Sequence, residues 1–292
     1  MLAKAGVGAS IPASRCIPTD IGTESVTHER VKSFDSSWQD RQAKWMSDGR
    51  FDATVAPSYD AACGEMNNAA VLGPTVAFLR EFAERSDTGA RALEFAIGTG
   101  RVALPLAAVG VEVHGIELSR AMLVELAKKP GGQSIPVTVG DMTTTRVEGT
   151  FPLVYLVYNT ITNLLTQDEQ VACFCNAAAH LAPGGSFVIE VFIPALRRLP
   201  LGESFVPFDV TAGHLGIDEY DVANQLLTSH HYWITNGRAE LFDSPHRYAW
   251  PAEYDLMAKI AGLALTQRWR NWNREPFTGE STSHISVWQK PG

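Results

Sequence analysis

The sequence predicts an α/β protein built on a doubly wound, mostly parallel sheet of seven strands, with an antiparallel insertion after the fifth strand. Strand-like and helix-like segments alternate between residues 90 and 193, which is typical of a parallel sheet with helices on both faces. A glycine-rich turn joins the first of these strands to the helix that follows it. The alternation stops between residues 194 and 250, where Asn236-Gly237 separates two strand-like runs and indicates a β-hairpin.

The composition is that of an ordinary globular protein. The chain has 292 residues, of which 45% are hydrophobic, enough for one large domain or for a domain with a sizeable insertion. A net charge of -8 opposes close approach to phosphate backbones, so we expect no nucleic-acid partner. We find no apolar run of membrane-spanning length and no signal-peptide pattern, so we expect a cytoplasmic protein without a membrane partner.

The cysteines and histidines do not form a metal-binding pattern. The cysteines are scattered, and none forms a C-x-x-C pair, so reduced structural thiols are expected. The histidines are spread along the chain without a spacing such as H-E-x-x-H. We therefore predict no metal site.

Changes in composition divide the chain into five segments. Residues 1–28 are rich in small residues and predict a flexible tail, whereas aromatic residues among charges in 29–68 predict a helical lid. Residues 69–193 form the predicted core and 194–250 the antiparallel insertion. Residues 251–292 supply a last helix, with Pro251 in its first turn, and two closing strands.

Each element of the core follows from a local pattern. Apolar residues at helical spacing predict the first helix, and the nearly continuous apolar run at 153–158 is typical of a buried parallel strand. Ser119 is a plausible N-cap, and Gly110 a helix stop. The predicted strands are 90–95, 111–116, 135–139, 153–158 and 186–193; the predicted helices are 69–84, 102–109, 119–128 and 168–181. After the core we predict strands 204–210, 225–235 and 238–250, helix 251–264, and strands 265–272 and 284–289.

The glycine turn after the first strand carries the main functional signal. Gly98 and Gly100 remove side chains where a ligand would approach the backbone, and the next helix offers unpaired N–H groups. Glu94, just before the turn, suits a cationic ligand end. Glu117, followed by Leu118, ends the second strand, where a carboxylate can accept both hydroxyls of a ribose.

Two further strand ends point to the same crevice. Asp141 and Met142 follow the third strand and are suited to bonding an adenine amino group and packing on its ring. Tyr158 and Asn159 lie at the end of the fourth strand. In doubly wound sheets, ligands bind at the carboxyl ends of the strands, so we expect these residues to share one site.

The glycine motif also fits a second class of protein. Gly98 to Ala103 matches the G-x-G-x-x-A pattern of dinucleotide sites, with Glu117 near the expected offset, so an NAD-dependent oxidoreductase is an alternative. Glu94 would repel a pyrophosphate, and the motif begins about ninety residues into the chain, which disfavours that alternative. A ligand-binding module without catalysis is a third hypothesis.

Residues 90–194 resemble the class I S-adenosylmethionine (SAM) dependent methyltransferases. The segment from Leu93 to Arg101 is similar to their glycine-rich first motif, although Ala96 stands where the family usually has its first glycine. Glu117, Asp141-Met142 and the segment 181–185 are similar to later motifs. The resemblance implies a Rossmann-like fold, SAM as cofactor, a ribose contact at Glu117 and an adenine contact at Asp141. It also places Asn159 near the sulfonium and the substrate.

We therefore predict a methyltransferase that acts on an oxygen or nitrogen of a small-molecule metabolite. The insertion is similar in layout to that of small-molecule N-methyltransferases acting on amino sugars or glycine, where extra strands form a lid or a dimer surface. A homodimer is consistent with that layout.

Three residues are candidates for the catalytic step. An oxygen nucleophile needs a general base, whereas an amine needs only to be neutral. His230 and His231 are adjacent in a predicted strand and so face opposite sides; we take His231, together with His246, as the candidate bases. Tyr59 precedes the helix before the first strand and is a candidate to cover the cofactor or bond the substrate. We expect His180 to be a helix C-terminal cap.

Overall fold

The structure is a computed structural model that describes residues 51–62, 64–85 and 89–292. The predicted tail, 1–28, and residues 29–50 of the predicted lid lie outside the described residues. Among the described helices, none combines the length and hydropathy that a membrane crossing requires.

The described chain contains eleven strands and six α-helices. The strands are β1 (Arg91–Phe95), β2 (Glu112–Glu117), β3 (Val137–Val139), β4 (Phe151–Leu156), β5 (Leu181–Phe192), β6 (Phe205–Val210), β7 (His214–Asp221), β8 (Leu226–Thr235), β9 (Arg238–Arg247), β10 (Ala264–Trp269) and β11 (Ser283–Gln289). The helices are α1 (Ala56–Ala62), α2 (Ala69–Ala83), α3 (Ala103–Ala108), α4 (Arg120–Lys128), α5 (Gln167–His180) and α6 (Pro251–Ile260).

Seven strands form the main sheet, in the order β10-β11-β5-β4-β1-β2-β3. The five strands from β5 to β3 pair in parallel, whereas β11 runs antiparallel to both β5 and β10. The other four strands form a separate antiparallel sheet, β6-β7-β8-β9, which follows β5 in the chain. The predicted fold class is therefore confirmed.

Helices cover both faces of the main sheet, because successive apolar side chains along its strands point to opposite faces and each face needs to be covered. Leu93 and Phe95 of β1 pack into the cluster that contains Phe174 of α5 and Tyr254 of α6. Ala92, which precedes Leu93, packs into the opposite cluster with α2, α3 and α4. Residues two apart on a strand face the same side, so one strand supplies both layers.

Local signals determine where several helices begin. The Ser119 side chain accepts the N–H of Met122 and so caps α4, as expected from the sequence. Thr166 and Glu169 form a capping box at the start of α5. The last helix ends at Ile260 rather than at residue 264, because Gly262 adopts a left-handed φ of 77° that breaks the helix.

The start of the fifth strand differs from the prediction. We expected a turn at 183–185 and a strand from residue 186, but β5 begins at Leu181. Phe151 of β4 pairs with Leu181 and Leu153 pairs with Ser186, so the intervening residues form a bulge. Gly184, with a φ of 77°, permits this bend without ending the strand.

The second sheet contains one strand that the sequence analysis missed, β7. The predicted hairpin is confirmed: Asn236 and Gly237 both have positive φ, 52° and 73°, as a tight primed turn requires. The strand after this turn ends at Arg247 rather than at residue 250. Val206, Tyr220, Leu227 and Tyr248 form a small core that packs against Phe192 at the end of β5.

Candidate functional site

The residues that the sequence analysis identified after β1, β2, β3 and β4 lie at the carboxyl ends of these strands, on one side of the main sheet. These four strands are neighbours and run parallel, so their carboxyl ends meet there. This edge is where doubly wound sheets bind ligands. The structure thus brings together the segments from Glu94 to Gly100, Glu117–Leu118, Asp141–Met142 and Tyr158–Asn159.

The glycine turn has an unusual backbone. Ala96, Gly98 and Gly100 have φ values of 51°, 59° and 79°, all in the left-handed region. A Cβ on Gly100 would lie 2.4 Å from Cδ1 of Leu126 and would sit on a left-handed backbone, so any other residue here would be strained and would displace Leu126. The backbone of the turn is therefore bare at Gly98 and Gly100, and strained at Ala96.

Replacing Ala96 with glycine is expected to stabilise the protein. A left-handed φ costs a non-glycine residue about 1–2 kcal/mol, which exceeds the entropic cost of adding a glycine, so Ala96→Gly should raise the free energy of unfolding by about 0.5–1 kcal/mol. Urea denaturation measures this. Ala92→Gly in the same region, at a buried position without positive φ, should instead destabilise by about 1 kcal/mol. A loss of stability in Ala96→Gly would contradict the prediction.

Glu117 is held by the backbone on both sides. Its Oε2 accepts the N–H of Gly98 and its Oε1 accepts the N–H of Ser119, each at 2.8 Å. Burial raises the pKa of this carboxyl, although the backbone N–H groups of Ser119, Gly98 and Leu118 oppose the shift. The carboxylate oxygens retain acceptor capacity for two adjacent hydroxyls. Leu118, beside it, is 41% exposed and offers an apolar surface at the same edge.

Glu94 is buried beneath the turn. Its Oε2 accepts the hydroxyl of Tyr155 at 2.9 Å. Burial raises its pKa to about 8, although the Tyr155 hydrogen bond and the charge of Arg101 oppose the shift. A carboxyl in this state is neutral at pH 7 and can ionise when a cationic group arrives.

Asp141 and Met142 follow β3. Oδ1 of Asp141 accepts the N–H and the hydroxyl of Thr143, at 2.7 and 2.8 Å, which orients the exposed carboxylate. The Met142 side chain is buried, and its carbonyl accepts the side-chain amide of Asn176 at 2.7 Å. A carboxylate acceptor therefore stands next to a buried thioether.

The sequence analysis missed Asp60, which ties α1 to the glycine turn. Its Oδ1 accepts the hydroxyl of Thr99 at 2.6 Å, and its Oδ2 pairs with Nζ of Lys129 at 2.5 Å. The same Lys129 ammonium donates to the carbonyl of Thr99 at 2.8 Å. Tyr59 precedes Asp60 in α1, and its ring packs edge-on against Phe51 at 5.4 Å. Tyr59 thus lies in the segment that Asp60 fastens to the turn.

The segment after β4 contains two consecutive left-handed residues that are not glycine. Tyr158 and Asn159 have φ values of 57° and 60°. Oδ1 of Asn159 accepts the N–H of Phe192 at 2.8 Å, which joins the segment to β5. The guanidinium of Arg101, which follows Gly100, lies 4.7 Å from the centre of the Tyr158 ring. This cation–π contact connects the segment after β4 to the glycine turn.

His246 connects the second sheet to this segment. The Thr162 hydroxyl donates to the carbonyl of Asn159 at 2.7 Å, so it has no proton left for His246. At the 2.9 Å contact between them, Nδ1–H of His246 must therefore donate to Thr162. In the neutral ring, Nε2 then accepts the hydroxyl of Ser244, also at 2.9 Å. Both ring nitrogens of His246 are engaged by neighbouring side chains.

His231 lies in an aromatic cluster of the second sheet. Its Nδ1 is 3.0 Å from Nε2 of His214, and Nδ1 of His214 is 2.6 Å from Oδ2 of Asp209. Its ring also packs against Phe208 and Trp233. Burial and the neighbouring His214 lower the pKa of His231. A catalytic role for His231 stays a prediction.

His180 caps its helix as expected, and its ring makes a second contact as well. Its Nδ1–H donates to the carbonyl of Asn176 in the last turn of α5, as a cap would, but the ring is buried. Its Nε2 accepts the N–H of Val147 at 2.9 Å, and burial lowers its pKa. His180 is thus a neutral buried histidine that joins α5 to the loop before β4.

Comparisons with known proteins agree with this geometry. A family model described as a methyltransferase domain matches residues 92–185. The chain is similar to the CcbJ methyltransferase from Streptomyces caelestis, with 35% identity, a TM-score of 0.72, and coverage of 82% of this chain and 96% of that one. It is 28% identical to the cypemycin N-terminal methyltransferase of Streptomyces sp over 253 residues, 82% of this chain and 97% of that relative.

A third protein shares the fold. CalS10, an amino pentose methyltransferase from Micromonospora echinaspora, superimposes with a TM-score of 0.60 at 23% identity, covering 78% of this chain and 95% of that one.

The sheet order is that of a Rossmann-like fold, and the carboxylates at the carboxyl ends of its strands are suited to a nucleoside ligand. The glycine cradle and the carboxylates of Glu94, Glu117 and Asp141 fit SAM, whose ends are a cationic amino acid and an adenosine. The chain belongs to the class I SAM-dependent methyltransferases. This excludes the NAD-dependent oxidoreductase and the non-catalytic module as descriptions of the protein.

Proposed function

We propose that this enzyme transfers the methyl group of SAM to an amine nitrogen of a small molecule, such as an amino sugar or the free amino terminus of a short peptide. The supporting observation is the state of His246, the candidate base bonded through Thr162 to the segment after β4. Its Nδ1–H donates to Thr162 and its Nε2 accepts from Ser244, so both ring nitrogens are engaged within the protein and neither points to the substrate that accepts the methyl group. An amine needs no positioned base once it is neutral, whereas a hydroxyl usually does.

The curated relative supports the same acceptor atom. The cypemycin N-terminal methyltransferase is named for an amino terminus, which is an amine, and it aligns over most of both chains. Its acceptor belongs to that protein; for this chain we propose only the shared chemistry, an amine nitrogen.

The cofactor roles follow from the geometry of the site. We propose that the bare backbone at Gly98 and Gly100, with Ala96 before them, cradles the cofactor and that Glu94 pairs with its ammonium. Glu117 would then accept its ribose hydroxyls, and Asp141 its adenine amino group, with Leu118 and Met142 against the ring. When bound, SAM supplies an electrophilic methyl group on a sulfonium.

The protein's part in the transfer is to align the acceptor and exclude water. Tyr158 and Asn159, after β4, would face the methyl group. Tyr59 remains our candidate to cover the cofactor from α1, and His231 a candidate on the acceptor side. We propose that His246 orients the Asn159 segment through Thr162.

Matched acceptors test the choice of nitrogen. The enzyme would be incubated with SAM and either D-glucosamine or D-glucose, and with a short peptide carrying a free or an acetylated amino terminus. We expect S-adenosylhomocysteine release and a mass increase of one methylene unit only with the amine member of a pair. The rate should rise with pH as the amine loses its proton. Methylation of the hydroxyl or acetylated members instead would overturn the proposal.

Other sequence-based expectations remain proposals. We propose a small-molecule substrate and not a nucleic acid, a cytoplasmic location, and a homodimer in which the second sheet provides the shared surface.

A further inference from the structure

The segment after β4 holds a conformation that its own residues disfavour. Tyr158 and Asn159 have left-handed φ values of 57° and 60°, and tyrosine rarely adopts this region. This conformation costs tyrosine about 1–2 kcal/mol and asparagine less, since asparagine adopts it more readily, so the surrounding structure must hold the pair in place. Such strain gathers at functional sites.

Glu190 of β5 satisfies both backbone N–H groups of the strained pair. Its side-chain Oε2 accepts the N–H of Tyr158 at 2.9 Å, and its backbone carbonyl accepts the N–H of Asn159 at 3.1 Å. Glu190 follows Ile189, which pairs with Leu156 at the end of β4, so it stands where the two strands separate. The β4 chain leaves the sheet at the residue that Glu190 contacts.

The Glu190 carboxylate is itself oriented by a second donor. The indole N–H of Trp272 donates to Oε1 of Glu190 at 2.8 Å. The Trp272 ring packs edge-on against Phe78 of α2, with 5.3 Å between ring centres. Both carboxylate oxygens therefore have a fixed donor, one from the strained pair and one from the loop between β10 and β11.

We propose that Glu190 is a positioning residue for the cofactor: it holds Tyr158 and Asn159 in the left-handed conformation that presents them to the methyl-bearing end of SAM. This inference rests on the proposed placement of these two residues beside the cofactor, and it is independent of the acceptor. Arg101, which lies over the Tyr158 ring, connects the same pair to the glycine motif. Loss of the Glu190 contact should therefore change cofactor binding as well as stability.

Calorimetric titration with SAM and with S-adenosylhomocysteine tests the proposal without any acceptor. Glu190→Gln replaces one carboxylate oxygen with an NH2 group, which would face one of the two N–H donors, so the bonds from Tyr158 and Trp272 cannot both be kept in place. Measured well below the unfolding midpoint, its Kd for SAM should rise about tenfold, the loss typical of one hydrogen bond to a charged group. The Kd for S-adenosylhomocysteine, which lacks the methyl group, should rise less. The matched control is Glu112→Gln, at an exposed position at the amino end of β2, away from the proposed site. It should leave both Kd values unchanged.

Two results would overturn the proposal. One is a folded Glu190→Gln protein with an unchanged affinity for SAM, and the other is an equal loss for both ligands. If Glu190→Gln does not fold, Trp272→Phe replaces it as the test, because phenylalanine keeps the aromatic contact with Phe78 and removes only the indole donor. A rise of about threefold or more in the Kd for SAM then supports the proposal, whereas an unchanged Kd contradicts it.

Discussion

Replacing Glu94 with glutamine is expected to weaken SAM binding about 10- to 100-fold and, at pH 8, to make the ligand-free protein more stable. Glutamine keeps the shape of the side chain and can still accept the Tyr155 hydroxyl. It loses the charge-assisted bond that we propose between Glu94 and the ammonium of the cofactor, and bonds of this kind contribute about 1.5–3 kcal/mol.

The gain in stability follows from the pKa of Glu94. Burial raises this pKa from 4.5 to about 8, so the folded protein holds a proton that the unfolded chain releases above pH 4.5. The stability from the bound proton is fully present below pH 4.5 and is lost as the pH rises towards about 8. At pH 8 the parent protein therefore begins to bear a buried charge, which the glutamine variant never carries.

The experiment combines calorimetry with urea denaturation at pH 5 and pH 8. Stability should fall between these values more steeply in the parent than in Glu94→Gln. Because SAM favours the ionised carboxyl, its binding near pH 7 should release a proton from the parent but not from the variant. Glu280→Gln, a change to an exposed carboxylate, should leave binding and the pH slope as they are. Equal slopes in parent and Glu94→Gln would refute the role of the buried proton.

Replacing Arg247 with methionine is expected to destabilise the protein by about 3–5 kcal/mol, the usual cost of removing one partner of a buried ion pair. Arg247, at the end of β9, is 5% exposed. Its Nη1 donates to Oε1 of Gln170 in α5 at 2.6 Å, and its Nη2 to Oε1 of Glu253 in α6 at 2.5 Å. This one guanidinium joins the second sheet to two helices of the core.

Methionine would fill similar space but leave the partly buried Glu253 carboxylate without its cation. Burial raises the pKa of Glu253, yet hydrogen bonds from Arg247, Gln225 and Gln167 outweigh that effect and lower it. Without Arg247 the carboxyl must ionise at greater cost or take up a proton. Adding Glu253→Gln to the methionine variant should therefore recover part of the loss.

Thermal and urea unfolding measure both variants. At about 2–4 °C per kcal/mol for a chain of this size, Arg247→Met should lower the unfolding midpoint by roughly 10 °C. Arg238→Met, at the exposed start of the same strand, is the matched control and should change it little. If Arg247→Met lowers the free energy of unfolding by less than about 1 kcal/mol, the ion pair contributes little to the contact between the second sheet and the two helices.

The main sheet and the cofactor motif were predictable because their signals are local. Strand and helix periodicities, the Ser119 cap and the Asn236-Gly237 turn each depend on a few neighbouring residues. The errors arose where geometry depends on pairing: β5 begins at Leu181 because a glycine bulge continues its ladder with β4. β7 was missed because its alternation stops after Leu215 and Ile217, and acidic residues or glycine fill most of its other positions.

The same distinction separates residues that the sequence marks from contacts that only the fold makes. Glu94, Gly98, Gly100, Glu117 and Asp141 stand at strand ends that the sequence pattern marks, and the parallel order of the strands brings them together. Asp60 is 39 residues from Thr99, Glu190 is 32 from Tyr158, and Arg247 is 77 from Gln170. No local pattern connects such pairs, so their contacts become visible only in the folded chain.

By itself, the sequence determined a doubly wound fold, a class I SAM-dependent methyltransferase and the strand ends that we propose as its cofactor site. These depend on backbone propensities, on hydrophobic periodicity and on a motif confined to a few residues. Only the tertiary structure decided that Ala96, Tyr158 and Asn159 adopt left-handed backbones, that both nitrogens of His246 are occupied, and that Glu190 holds the segment after β4. Those properties depend on burial and on hydrogen bonds between distant residues, because a side chain's partners, and therefore its charge state, are set by packing.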